Sequence, residues 1–121
     1  MSGSRILIVE DEFLIRLTLA EALTDEGFEV SEAASGDEAL ALLEEEDGIE
    51  LLLTDIQLPG TLDGIGLARA ARKRAPDLPV IYVTGRPDAL EAAGGSGRDV
   101  FISKPYLPSE VCAAARRLTG R

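Results

Sequence analysis

The chain has 121 residues, 45% of them hydrophobic, a formal net charge of -10, one cysteine and no histidine. That length makes one domain able to bury a core without staples, the acidity argues against nucleic acid as a direct partner, and the lack of histidine removes serine-triad, Cys-His and histidine-zinc chemistry. No apolar stretch reaches membrane-spanning length and no signal-peptide pattern is present, so no membrane contact is expected, and the lone Cys112 fits a cytoplasmic setting.

Met1 to Ser4 is small and polar, and residues 1–4 and 119–121 are expected to be flexible ends of a domain over 5–118. Ile6 to Val9 is a continuous apolar run, the pattern of a strand covered on both faces, and it stops at three acids, Glu10, Asp11 and Glu12. Ile15, Leu19, Ala22 and Leu23 then recur at helical spacing, and Gly27 stands where a C-capping glycine belongs. Phe28-Glu29-Val30 alternates, which predicts a half-exposed edge strand. Ser35 to Glu38 reads as a capping box opening a second helix, with Ala39, Leu40, Leu42 and Leu43 inward. Its acidic end, Glu44 to Asp47, is a solvated face rather than a site.

Leu51 to Leu53 predicts a buried strand that ends at Thr54-Asp55, before Pro59-Gly60 forces a turn. Gly64 to Arg74 is a third helix with Ile65, Ala68 and Ala71 inward. Pro79 to Val83 is a fourth strand, ending at Thr84-Gly85, and Arg86 to Ala93 leaves room only for a short fourth helix before a glycine-rich run. That run has much entropy to lose and little apolar surface to bury, so residues 86–97 are expected to be the least ordered part of the domain. Val100 to Ile102 is a fifth strand, ending at Ser103-Lys104-Pro105, and Pro108 opens a last helix with Val111, Ala115 and Leu118 inward. Five alternations of strand and helix without a hairpin signal predict an α/β fold, a parallel sheet with helices on both faces.

In such a sheet the C-terminal ends of the strands share one edge, where open α/β folds bind ligands. Glu10, Asp11, Asp55, Thr84 and Lys104 all fall there. Singly, each also reads as a cap, a turn residue or surface charge; jointly they make a site. Two unit charges ~4 Å apart repel by roughly 4 kcal/mol at an effective dielectric near 20, so clustered carboxylates either raise a pKa or recruit a cation. An oxygen-only ligand set suits Mg²⁺. A lysine and a hydroxyl beside it suit phosphoryl transfer to a carboxylate.

The segments ILIVEDE, LTDIQLPG with a following DG, VTG and FISKP resemble the receiver domain of bacterial two-component response regulators, in order and over nearly the whole chain. The resemblance implies a flavodoxin-like five-stranded sheet of order 2-1-3-4-5. It implies that Asp55 accepts a phosphoryl group from the phosphohistidine of a histidine kinase or phosphotransfer protein. It further implies that Glu10, Asp11, Asp55 and the backbone carbonyl of Gln57 hold Mg²⁺, that Lys104 binds the phosphoryl group, and that Thr84 and Phe101 are switch residues. The Lys104-Pro105 bond is expected to be cis on the same ground. Such a domain catalyses only its own phosphorylation and dephosphorylation, and signals to a downstream protein through the face of its fourth helix, fifth strand and last helix. Three departures stand out: the loop after Asp55 has Leu58 for a methionine and one extra residue before Gly64, Glu10 replaces an aspartate, and the stretch from Thr84 to Lys104 is slightly short and glycine-rich.

Three other readings compete: a degenerate receiver that binds partners without phosphorylation, a small metal-dependent phosphatase, and a flavin or nucleotide carrier. The intact acid, threonine and lysine positions disfavour the first. The second wants a further acid where Gln57 stands, and no GxGxxG or P-loop follows any strand to support the third. A stand-alone regulator and a fragment of a larger regulator or hybrid kinase are both compatible with the sequence.

Overall fold

The computed structural model describes residues 4–86 and 98–120. In chain order they form β1 (Arg5–Val9), α1 (Phe13–Asp25), β2 (Glu29–Ala33), α2 (Gly36–Glu45), β3 (Ile49–Asp55), α3 (Gly64–Arg74), β4 (Val80–Thr84), β5 (Asp99–Ser103) and the last helix, α4 (Pro108–Thr119). The strands make one parallel sheet of order β2-β1-β3-β4-β5. The expected topology is therefore the observed one. Apart from Arg86, the short helix, the glycine-rich run and their expected low order lie outside the described residues.

The pleat sorts the apolar runs between two cores. Ile6, Ile8, Leu51, Leu53, Ile81 and Val83 face α1 and α4, meeting Leu19 and Leu23 from one helix and Val111 and Ala115 from the other. Leu7, Val9, Leu52, Val80 and Tyr82 face the opposite way, against Ala39 of α2 and Leu67, Ala68 and Ala71 of α3. Burying a large aliphatic side chain stabilises by roughly 1.5–3 kcal/mol, and the runs of β1, β3 and β4 are covered on both sides. That is why these three strands read as unbroken apolar runs. β2, at the edge, is half-exposed along most of its length, as its alternation predicts.

Local chemistry sets the ends. At the end of α1, Gly27 takes φ 95°, its N–H donates to the Thr24 carbonyl at 3.0 Å and the Phe28 N–H to that of Leu23 at 3.1 Å, a Schellman closure that only glycine makes without strain. The Ser35 hydroxyl accepts from the Glu38 N–H at 3.1 Å to start α2, and the Asp63 carboxylate accepts from the Gly66 N–H at 2.8 Å to start α3. Leu107 begins α4 without a polar side chain. Instead the Glu110 carboxylate reaches back to the Leu107 N–H at 3.1 Å, with Pro108 in the first turn.

Some bounds differ from expectation. β3 runs two residues before Leu51 and carries Asp55 as its last residue, because Arg5 and Ile6 of β1 pair with Ile49 and Leu51 across an irregular step. Leu67, absent from the expected stripe of α3, is fully buried. At the chain ends, Ser4 is buried and hydrogen-bonds Glu50 at 3.2 Å, and α4 runs to Thr119 with Gly120 as its left-handed cap.

Candidate functional site

Parallel pairing brings the ends of β1, β3, β4 and β5 to one edge, and five of the expected side chains meet there. Glu10 follows β1; its N–H donates to the Ala33 carbonyl at 3.1 Å, which continues the ladder one residue past the strand. The residue is only 3% exposed, and its carboxylate accepts from the Glu12 N–H at 3.0 Å. The Arg16 guanidinium, itself paired with Glu32, donates to the Glu10 carbonyl at 2.7 Å and fixes the chain at this turn. Asp11 is exposed beside it.

Asp55 is 6% exposed at the end of the central strand. Its Oδ1 accepts from the Gln57 N–H at 3.0 Å, and its Oδ2 from Lys104 Nζ at 2.6 Å. The same ammonium stands 3.6 Å from Glu10 Oε1. Lys104 is aimed inward by the Lys104 N–H bond to the Thr84 carbonyl, 2.8 Å, just before a cis Lys104-Pro105 peptide of the expected isomer. Gly64 closes the loop from the other side. A Cβ there would lie 2.2 Å from the Asp55 carbonyl oxygen, so the start of α3 sits against the end of β3 only because it begins with glycine.

One carboxylate oxygen from each of Glu10, Asp11 and Asp55 lies within 4.8 Å of the others. Three acids face one lysine, and two of the three are buried. Burial pushes the Glu10 carboxyl up to about 7; the Glu12 N–H and Lys104 oppose this, and Asp11 and Asp55 add to it. Burial alone would lower the pKa of Lys104, but its hydrogen bond and charge contact with Asp55, with Glu10 behind, raise it. This is an oxygen-only, partly dry set short of positive charge, and it fits a hard divalent cation. Glu10, though longer than aspartate, keeps its carboxylate within the cluster.

Thr84, fully buried at the end of β4, donates through Oγ1 to Gln57 Oε1 at 2.8 Å and accepts from the Arg86 N–H at 3.0 Å. Phe101 pairs with Tyr82 across β5 and β4 and stacks on it, ring centroids 5.2 Å apart at 11°. The sequence presents Gln57 as a carbonyl ligand and as a non-acid where a hydrolase would want one, and gives no sign of its side-chain bond to Thr84. Arg16 was missed too, and so was an open apolar groove beside the site lined by Leu14, Thr18, Lys104, Pro105, Tyr106 and Pro108. Leu14 and Leu107, at 73% and 64% exposed, are unusual for their size; the signal was present in FLIRL, where apolar residues surround the helix rather than keep to a stripe.

Residues 6–116 match the response regulator receiver domain family. The chain belongs to that family. It is 40% identical to the aerobic respiration control protein ArcA of Escherichia coli over 123 residues, covering 100% of this chain but only 50% of that protein, so it spans about half the relative's length. Among solved structures, a response regulator receiver protein from Sinorhizobium medicae superposes with a TM-score of 0.89 at 30% identity, covering 98% of this chain and 95% of the other. TrrA from Thermotoga maritima, crystallised with Mg²⁺-BeF, gives 0.83 at 29% identity, covering 98% and 99%. The flavodoxin-like fold and the two-component class of this receiver thus agree with the resemblance read from its motifs.

Proposed function

We propose that this receiver accepts a phosphoryl group on an Asp55 carboxylate oxygen, from the phosphohistidine of a histidine kinase or phosphotransfer protein, and that the modified domain switches its binding to a downstream protein. The observation that carries this is Asp55 itself: a buried carboxylate at the end of the central strand, bonded to Lys104 at 2.6 Å and sharing an oxygen cluster with Glu10 and Asp11. In the transfer an Asp55 oxygen forms the new P–O bond while the donor's P–N bond breaks, its electron pair returning to the imidazole nitrogen. Hydrolysis of the acyl phosphate restores the carboxylate and releases inorganic phosphate, so the domain acts only on itself.

Glu10, Asp11, Asp55 and the Gln57 carbonyl would hold Mg²⁺, which when bound neutralises charge on the transferring phosphoryl oxygens. Lys104 already touches the acceptor oxygen and needs only a small shift to pair with a phosphoryl oxygen instead. Thr84 supplies a hydroxyl at the adjoining strand end, and Phe101, in the middle of β5 and stacked on Tyr82, would take up its movement one strand further out. The apolar shoulder of Leu14, Tyr106 and Leu107 borders the approach to Asp55 and supports contact with the donor there. The output face would comprise β5 and the last helix. A net charge of -10 supports a protein rather than nucleic acid as direct partner. Among the described residues no helix is long and apolar enough to cross a membrane, which accords with a cytoplasmic site of action.

The test is intact mass after incubation with acetyl phosphate and Mg²⁺. The wild type should gain one phosphoryl group, and Asp55→Asn none; excess EDTA should suppress the gain. An adduct on the Asp55→Asn protein, or full labelling in EDTA, overturns the assignment.

A further inference from the structure

The Thr84 hydroxyl is occupied on both sides. It accepts from the Arg86 N–H at 3.0 Å and donates its proton to Gln57 Oε1 at 2.8 Å; the Arg86 carbonyl, at 3.4 Å, is the poorer alternative acceptor. A hydroxyl has one proton to give. Thr84 cannot donate to a phosphoryl oxygen on Asp55 while it is bonded to Gln57. We propose that the Gln57 side chain is a latch on Thr84, a positioning device that holds the switch hydroxyl in its unphosphorylated arrangement and sets how readily the domain activates. The proposal rests on the phosphoacceptor reading of Asp55.

Two asymmetries give the latch its direction. Thr84 is fully buried, so its hydroxyl must exchange one acceptor for another rather than for water, whereas Gln57 is exposed and its freed amide is rehydrated at little cost. The incoming phosphoryl oxygen is charged, and hydrogen bonds to ionised acceptors are about twice as strong as neutral ones. The phosphoryl group therefore wins the proton, but against a resistance set by Gln57. The same residue holds Asp55 Oδ1 through its N–H at 3.0 Å, so one loop residue touches both the acceptor carboxylate and the switch hydroxyl.

Gln57→Met keeps the length of the side chain and removes its acceptor. Titration with beryllofluoride and Mg²⁺, followed by amide NMR, should show binding about fivefold tighter than wild type, the worth of one neutral hydrogen bond. The same substitution should have no effect in a Thr84→Val background, where no hydroxyl exists to be held, and should regain its effect in Thr84→Ser. In the free protein the Arg86 amide resonance, whose N–H reports on Thr84 Oγ1, should move in Gln57→Met. If wild type and Gln57→Met bind beryllofluoride equally, or the gain persists undiminished in Thr84→Val, the latch is wrong while Asp55 remains the acceptor. If wild type does not respond to beryllofluoride at all, the phosphoacceptor reading falls and the latch with it.

Discussion

Glu10 shows what a single side chain contributes when its surroundings resist its charge. It is 3% exposed and stands in a cluster with Asp11 and Asp55, and its carboxyl titrates at about 7 rather than near 4.5. The folded state thus keeps a proton between pH ~4.5 and ~7 that the unfolded chain has released, so without metal the stability owed to this group falls as pH rises through that window. At about 1.4 kcal/mol per pKa unit the loss is on the order of 3 kcal/mol. Urea unfolding in EDTA should show the wild type losing stability from pH 5 to pH 8 relative to Glu10→Gln. Equal pH slopes for the two proteins would refute a strained Glu10. Glu10, Asp11, Asp55, Thr84 and Lys104 were legible in the sequence because each follows an apolar run, and a parallel sheet puts the ends of such runs together. The side chain of Gln57 was not, because its direction depends on the loop after Asp55, where neither strand nor helix periodicity applies.

At the level of elements, the loop from β3 to α3 is the tightest joint in the site. The Gly64 N–H donates to the Ile56 carbonyl at 2.9 Å, and a Cβ on Gly64 would lie 2.2 Å from the Asp55 carbonyl oxygen and 2.9 Å from the Ile56 Cα. Both obstacles are backbone and cannot rotate away. Gly64→Ala should therefore cost about 1–3 kcal/mol, as overpacking does, and should loosen the loop that carries Gln57. Gly85 is the contrast. Among the described residues a Cβ there meets only Lys104 Cβ at 3.9 Å, an ordinary contact, so Gly85→Ala should be neutral or stabilising by up to about 1 kcal/mol. Chemical denaturation of the two variants checks both signs, and a Gly64→Ala protein as stable as wild type would show that the joint can give. The strands and helices themselves were legible because their periodicities are strong: α3 spans Gly64–Arg74, as expected. The exposed apolar side of α1 was not, since Leu14, and Phe13 beneath the Arg16 guanidinium, lie off the core stripe of Ile15, Leu19 and Leu23.

For the whole molecule the dominant fact is charge: twenty-two acids against twelve bases, with a partly buried knot of three acids at one edge of the sheet. Net charge far from zero destabilises the compact state through self-repulsion, and here part of that repulsion is concentrated where Lys104 is the cation in contact. A divalent cation that binds the folded cluster and not the unfolded chain stabilises the fold by RT ln(1 + [L]/Kd), about 2.7 kcal/mol at a hundredfold excess over Kd. Ionic screening alone would also help an acidic protein, so the comparison must be made at constant ionic strength. Under that condition Mg²⁺ should raise the melting temperature well beyond matched KCl. The gain should shrink in Asp11→Asn, which replaces a charged carboxylate by a neutral amide at an exposed position without disturbing the core. It should also be smaller at pH 5 than at pH 8, because a proton on Glu10 then competes with the metal for the same carboxylate. Melting curves that respond equally to Mg²⁺ and to KCl would mean that the acids are merely repelling one another, and that this edge of the sheet is not a metal site.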